Sequence, residues 1–179
     1  IGCEMQWEQK DNWPTVRMTK PIWKSSSDVS IPEDFLTHKD TRAIIDSIKL
    51  LKQEFGDEVA IVGKTMGPWT LAYHVFGVEP FLLGTVDDPA EIMKSLRKLM
   101  EFTILFGEAQ IEAGADVLTV PDHATGDLVS GEYYRRFLLE IHQELEEILP
   151  LCLEAGAENI ELHAAVAAND AIMREWEVV

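Results

Sequence analysis

Gln110–Ala124, QIEAGADVLTVPDHA, is the stretch whose reading decides the fold. It reads as a helix end, a glycine stop at Gly114, and the buried strand DVLTV. Pro121 then removes a ladder donor where that strand ends, and Asp122 and His123 stand side by side in the loop. Residues 151–164, LCLEAGAENIELHA, repeat the phrase: helix, Glu-Ala-Gly-Ala, strand, histidine. The glycines at 114 and 156 lie 42 residues apart. Strands alternating with helices at this period predict parallel βα units. Ligands gather at the carboxyl ends of such strands, which places Asp122, His123 and His163 on one rim. Lys64, after VAIVG (59–63), joins them there.

Outward from this stretch, the same pattern recurs. Ile44, Ile45, Ile48, Leu51 and Phe55 fall at helical spacing, so a helix over 37–55 is expected to bury them. Gly56 is placed for a left-handed cap. VAIVG is short and continuous, as in a strand buried on both faces. Gly67-Pro68 opens a helix through WTLAYHVF, with Pro68 at a favourable first position. Asp88 before Pro89 caps the next helix, which runs to about Ala113 with Ile92, Leu96, Leu99, Phe102, Phe106 and Ala109 inside. One further helix is expected from Ser130, its cap, through SGEYYRRFLLEIHQELEEIL. His38 and His142 read as surface residues, and ELEE as a solvated face. Strands are expected near Val59–Gly63, Asp116–Val120 and Asn159–Leu162, paired in parallel. Residues 1–37 hold three of the five tryptophans and three prolines. They read as an irregular lead-in with short strands.

The expected fold is therefore α/β, of the TIM-barrel (β/α)8 type, with only part of the barrel present. About three βα units are visible, and closing eight strands takes roughly 250 residues. The chain is read as a single partial-barrel domain over 1–179, with 38–179 carrying the βα units. Its opening, IGCEMQW, reads like the inside of a longer domain.

Composition limits the partners. Thirty-two acidic against fifteen basic residues give a net charge of −17, which repels phosphate backbones and argues against nucleic acid. No apolar run approaches the ~20 residues that cross a bilayer, and no signal-peptide pattern is visible. A cytoplasmic protein is expected, with Cys3 and Cys152 as free thiols.

GPWTLAYHVFGVEPFL, the long phrase EAQIEAGADVLTVPDHATGDLVSGEYYRRFLLEIHQEL, and IPEDF together resemble the uroporphyrinogen decarboxylase superfamily. Within it they are most similar to the methylcobamide:coenzyme M methyltransferase branch, zinc enzymes of methylotrophic methanogens and their bacterial relatives. The resemblance covers roughly 28–150. It implies transfer of a methyl group from a methylcobamide, carried on a corrinoid protein, to a small thiol such as coenzyme M. Asp122, His123 and His74 would shape the pocket. The decarboxylase branch has a tyrosine where this chain has His74 and a serine where it has His123. Its arginine-rich amino-terminal motif does not occur here.

The resemblance also implies zinc, bound through a His-x-Cys pair and a later cysteine. A zinc-bound thiol favours its thiolate, a nucleophile able to accept a methyl group. In ELHAAVA, His163 matches the ligand histidine, but Ala165 holds the cysteine place. A second alignment sets LPLCLEAGAENIEL one βα unit further on, with the zinc strand absent. Two other readings stand beside the methyltransferase. One is decarboxylation of a tetrapyrrole acid, with Asp122 near the pyrrole nitrogens. The other is a catalytically silent relative or fragment that binds a corrinoid protein.

Overall fold

A computed structural model describes residues 2–6, 15–17, 20–124, 126, 128–145 and 159–161. A short antiparallel pair, β1 (Met5–Gln6) and β2 (Thr15–Val16), lies in the lead-in. Then follow α1 (Lys39–Phe55), β3 (Val62–Lys64), α2 (Pro68–Phe76), α3 (Val78–Asp87) and α4 (Pro89–Glu112). β4 (Val117–Thr119), α5 (Gly131–Phe137) and β5 (Asn159–Glu161) complete the labelled elements, and residues 139–145 are again helical.

The three later strands form one sheet in the order β3-β4-β5, all parallel. Gly63 pairs with Leu118, which pairs with Ile160. The expected parallel neighbours are therefore present, although β3 starts three residues later than expected. Leu162 lies outside the described residues. Asp116 secures the start of the sheet: its carboxylate accepts from Ile61 N at 2.8 Å and from Lys52 Nζ at the end of α1. Those two donors hold its carboxyl below the usual range, the backbone bond most strongly.

Side chains alternate across a strand, and the alternation gives the sheet two unlike faces. Gly63 and Leu118 are buried on the helix side. A Cβ on Gly63 would press on Gln110 Oε1, Ala115 and Leu118 there, at 3.1–3.3 Å. Val62, on the other face, is 57% exposed. The expectation of a strand buried on both faces thus fails at β3, because no described element covers that side. Helix α1 departs likewise: Ile45 and Ile48 are buried, whereas Ile44, Leu51 and Phe55 are exposed.

The main core lies between α2, α3, α4, α5 and residues 139–145, around Trp69, Phe81, Phe102, Tyr134 and Phe137. Asp88 caps α4 as expected, its side chain accepting from Glu91 N at 3.1 Å. Gly114 follows α4 with φ +105, a conformation side chains resist. Gly56, by contrast, has φ −63 and is not a left-handed cap; the helix simply unwinds through it. Helix α3 was not anticipated, since Pro80 and Gly84 mask its periodicity. The single helix expected from Ser130 is interrupted at Leu138. Beyond the break, Arg97 of α4 grips residues 139–145, with Nη1 2.6 Å from Glu144 Oε1 and Nη2 2.9 Å from Glu140 Oε1. Glu144, expected on a solvated face, is thus paired. No described helix is long and apolar enough to cross a membrane.

Candidate functional site

The end of β4 meets the start of α2. Gly67 N donates to Pro121 O at 2.9 Å, and Thr65 N donates to Thr119 O at 3.0 Å. The loops after β3 and β4 therefore run side by side before α2 begins. The first N–H groups of a helix have no partner within it and carry partial positive charge. Asp122 meets that need.

The Asp122 side chain is fully buried. Its Oδ1 accepts from Thr70 N at 2.6 Å and from Thr70 Oγ1 at 2.9 Å. Its Oδ2 accepts from Trp69 N at 3.3 Å and meets His142 Nε2 at 3.0 Å. Four donors match the roughly four acceptor positions of an ionised carboxylate. The Thr70 hydroxyl also accepts from His123 N at 2.8 Å, so its hydrogen is directed to Asp122. One threonine side chain thereby ties the backbone of His123 to α2.

This arrangement separates the two neighbours singled out by sequence. Asp122 is sealed inside with every acceptor position used. His123, the next residue, is exposed. His74 lies in the last turn of α2 and is half-buried. Burial first, and then the nearby His123 imidazole, push the His74 pKa below its ordinary value. Its Nδ1 is buried with no hydrogen-bond partner among the described residues. A half-buried imidazole with an uncommitted ring nitrogen is thus carried on the helix to which the backbone of exposed His123 is tied. Cys3, a free thiol, packs against the same turn, its Sγ 3.8 Å from His74 O; burial raises its pKa.

His142 corrects the sequence reading. Expected at the surface, it is fully buried, with Nδ1 3.0 Å from Tyr134 OH as well as Nε2 on Asp122. A signal for this was present. Tyr134, Phe137, Leu138, Ile141 and Leu145 form one buried stripe, and His142 falls within it, four residues after Leu138 and three before Leu145. Its polar neighbours in sequence hid it. His38 is exposed as expected, and its side chain caps α1 by accepting from Asp40 N at 3.4 Å.

Lys64 sits at the end of β3 with its side chain exposed. Its backbone N and O bond the Gln110 side chain at 2.9 and 3.0 Å. A groove of about 740 Å³ runs alongside, lined by Ile44, Ile48, Val62, Lys64, Phe102 and Phe106 among others. His163 and Cys152 lie outside the described residues. Among those described, no three His, Cys, Asp or Glu side chains come together as a metal centre needs. The described residues by themselves do not fit a zinc ion.

The model of the family described as Uroporphyrinogen decarboxylase (URO-D) matches residues 1–169. The chain belongs to the uroporphyrinogen decarboxylase family. A methylcobamide:CoM methyltransferase of Methanosarcina barkeri is 31% identical over 139 residues, covering 77% of this chain and 41% of that protein. A methylated-thiol–coenzyme M methyltransferase of Methanosarcina mazei is 27% identical over 159 residues, covering 85% and 42%. A uroporphyrinogen decarboxylase of Hamiltonella defensa is 30% identical over 155 residues, covering 77% and 43%. Among solved structures, a methyltransferase from Methanosarcina mazei superposes with a TM-score of 0.78 at 25% identity, over 92% of this chain and 48% of that one. The chain thus spans less than half the length of these relatives.

Proposed function

We propose that this chain forms part of a (β/α)8 barrel that moves a methyl group from a corrinoid, carried on a partner protein, to a thiol such as coenzyme M. The observation that carries this reading is the Asp122–Thr70 clamp, which ties the backbone of exposed His123 at the end of β4 to α2, the helix that carries half-buried His74. In the transfer, the thiol sulfur forms the new bond to the methyl carbon as the cobalt–carbon bond breaks. The bonding electrons stay on cobalt, and the thiol proton leaves to a base. Imidazole has the basicity for that proton near neutral pH. His123 is the exposed candidate, and His74 is the neutral neighbour that keeps positive charge from accumulating.

Asp122 fits a supporting part better than a reacting one. A carboxylate with four donors has no acceptor position left for a substrate proton. It fixes the rim on which the two histidines stand. The zinc site and the thiol's own binding groups would come from residues beyond those described.

The test uses the full-length protein with methylcobalamin and coenzyme M, following the loss of the cobalt–methyl absorbance. His123→Ala should slow transfer by about 10²–10⁴-fold without changing the far-ultraviolet circular dichroism. Full activity in this variant would remove His123 from the mechanism. Decarboxylation of a tetrapyrrole is the second reading, favoured by the Hamiltonella defensa relative. Conversion of uroporphyrinogen by the same preparation, with no methylation of coenzyme M, would establish it instead.

A further inference from the structure

His142 brings to Asp122 a donor from outside α2 and the loop. An ionised carboxylate only accepts, so the hydrogen between them sits on His142 Nε2. The other ring nitrogen lies 3.0 Å from Tyr134 OH, and the two rings meet across the break at Leu138 with centroids 5.6 Å apart. Tyr134, His142 and Asp122 are all enclosed. A buried imidazole without partners loses several kcal/mol of hydration, and here both nitrogens are met.

We infer that His142 is a positioning residue for the histidine rim: by donating to Asp122 it holds the carboxylate against the first turn of α2, and so sets where His74 stands relative to His123. Two segments far apart in sequence converge on this one carboxylate. Trp69 and Thr70 reach it from α2, and His142 from residues 139–145. Through the Thr70 hydroxyl the same group holds the His123 backbone. Without the His142 donor, Oδ2 keeps only the long 3.3 Å bond from Trp69 N. The carboxylate is then held to the turn chiefly through Oδ1 and Thr70, and can pivot about those two bonds. The consequence for catalysis rests on the reading of the rim given above, whereas the structural claim is tested independently of it.

Two amide substitutions separate the two ring nitrogens. His142→Gln places an N–H near the Nε2 position and keeps the bond to Asp122. His142→Asn keeps a polar atom near Nδ1 for Tyr134 and loses the bond to Asp122. In the full-length protein, the His74 ring is titrated by NMR with and without His123→Gln. In the parent, that replacement should raise the His74 midpoint, because a neighbouring imidazole is gone. The same rise should appear in His142→Gln and largely vanish in His142→Asn. In thiol methylation, His142→Asn should lower kcat by about 10²-fold with KM little changed, and His142→Gln by less than about threefold.

An undiminished His74 response in His142→Asn, with kcat equal in the two variants, would overturn the inference. Absence of methyl transfer in every form, with the titration pattern as expected, would sink the proposed reaction and leave the positioning role standing. Should His142→Asn fail to fold, the parent still decides. Nitrogen shifts must show His142 protonated on Nε2, and a hydrogen on Nδ1 alone refutes the clamp.

Discussion

A single methyl group added at Gly67 tests the contact between α2 and the β4 loop most directly. A Cβ there would lie 2.5 Å from Asp122 Cβ and 2.6 Å from Oδ2, and closer still to Cγ. The backbone at Gly67 has φ −67 and ψ 157, which alanine adopts freely, so the effect is steric. Asp122 has no room to retreat, being buried and held by four donors. Overpacking a rigid site costs about 1–3 kcal/mol, and each buried donor left without its acceptor about 1–3 more. With one bond lost, Gly67→Ala should destabilise by about 2–6 kcal/mol, a large share of a typical domain's stability. Urea unfolding of the full-length protein reads this as a lower midpoint at constant slope. In an Asp122→Gly background the same alanine should cost much less, since the colliding atoms are gone. A loss below about 0.5 kcal/mol for Gly67→Ala in the parent background, the range of ordinary surface substitutions, would refute the close approach.

Asp122→Asn turns one acceptor into a donor facing a donor on whichever side it lies, and should cost about 3–5 kcal/mol in the same assay; a loss under 1 kcal/mol would show the carboxylate to be replaceable. Burial lowers the His74 pKa from its ordinary 6.5, so as pH falls below about 6.5 the unfolded chain takes up the proton before the folded one. Stability contributed by neutral His74 is present above that pH and is lost as pH drops toward the folded pKa. His74→Gln should flatten this part of the stability profile, and an unchanged profile contradicts the assignment. Ser130 caps α5 by accepting from Tyr133 N at 3.3 Å, and Ser130→Ala should cost about 1 kcal/mol, visible as a lowered Tm.

Local signals in the sequence carried the alternation of elements. Asp88-Pro89 and Ser130 announced their helices, and the Glu-Ala-Gly-Ala phrase announced β4. What escaped was set by distant partners. Helix α3 hides behind Pro80 and Gly84, and its formation follows from packing Phe81 against Trp69 and Tyr73. At the rim, Asp122 and His123 were legible as a pair, but not their separation. Pro121 ends the strand, and the chain turns one side chain inward and the next outward. His142 was misplaced because neighbouring Glu140, Gln143 and Glu144 suggested water, although the apolar stripe at 134, 137, 138, 141 and 145 passes through it. Ile44 is read as core from its helical spacing and Val62 from a continuous apolar run, and neither pattern says which face a neighbour covers.

The aromatic packing of α2 and α3 has a consequence for the order in which the molecule assembles. Trp69, Tyr73, Phe76 and Phe81 lie within thirteen positions of one another. Trp69 and Phe81 pack edge to face with centroids 4.8 Å apart, and Phe76 stacks on Phe81 at 6.4 Å. Bringing such near neighbours together closes only a short loop, so this hairpin of helices is expected to form early. The Asp122 carboxylate bonds Thr70 across 52 residues and must wait until α4 and β4 are in place. Interactions made after the transition state govern how fast a protein unfolds rather than how fast it folds. Variants at Asp122 should therefore come apart sooner while reaching the native state at nearly the parental rate, whereas variants at Phe81 should be slow to get there.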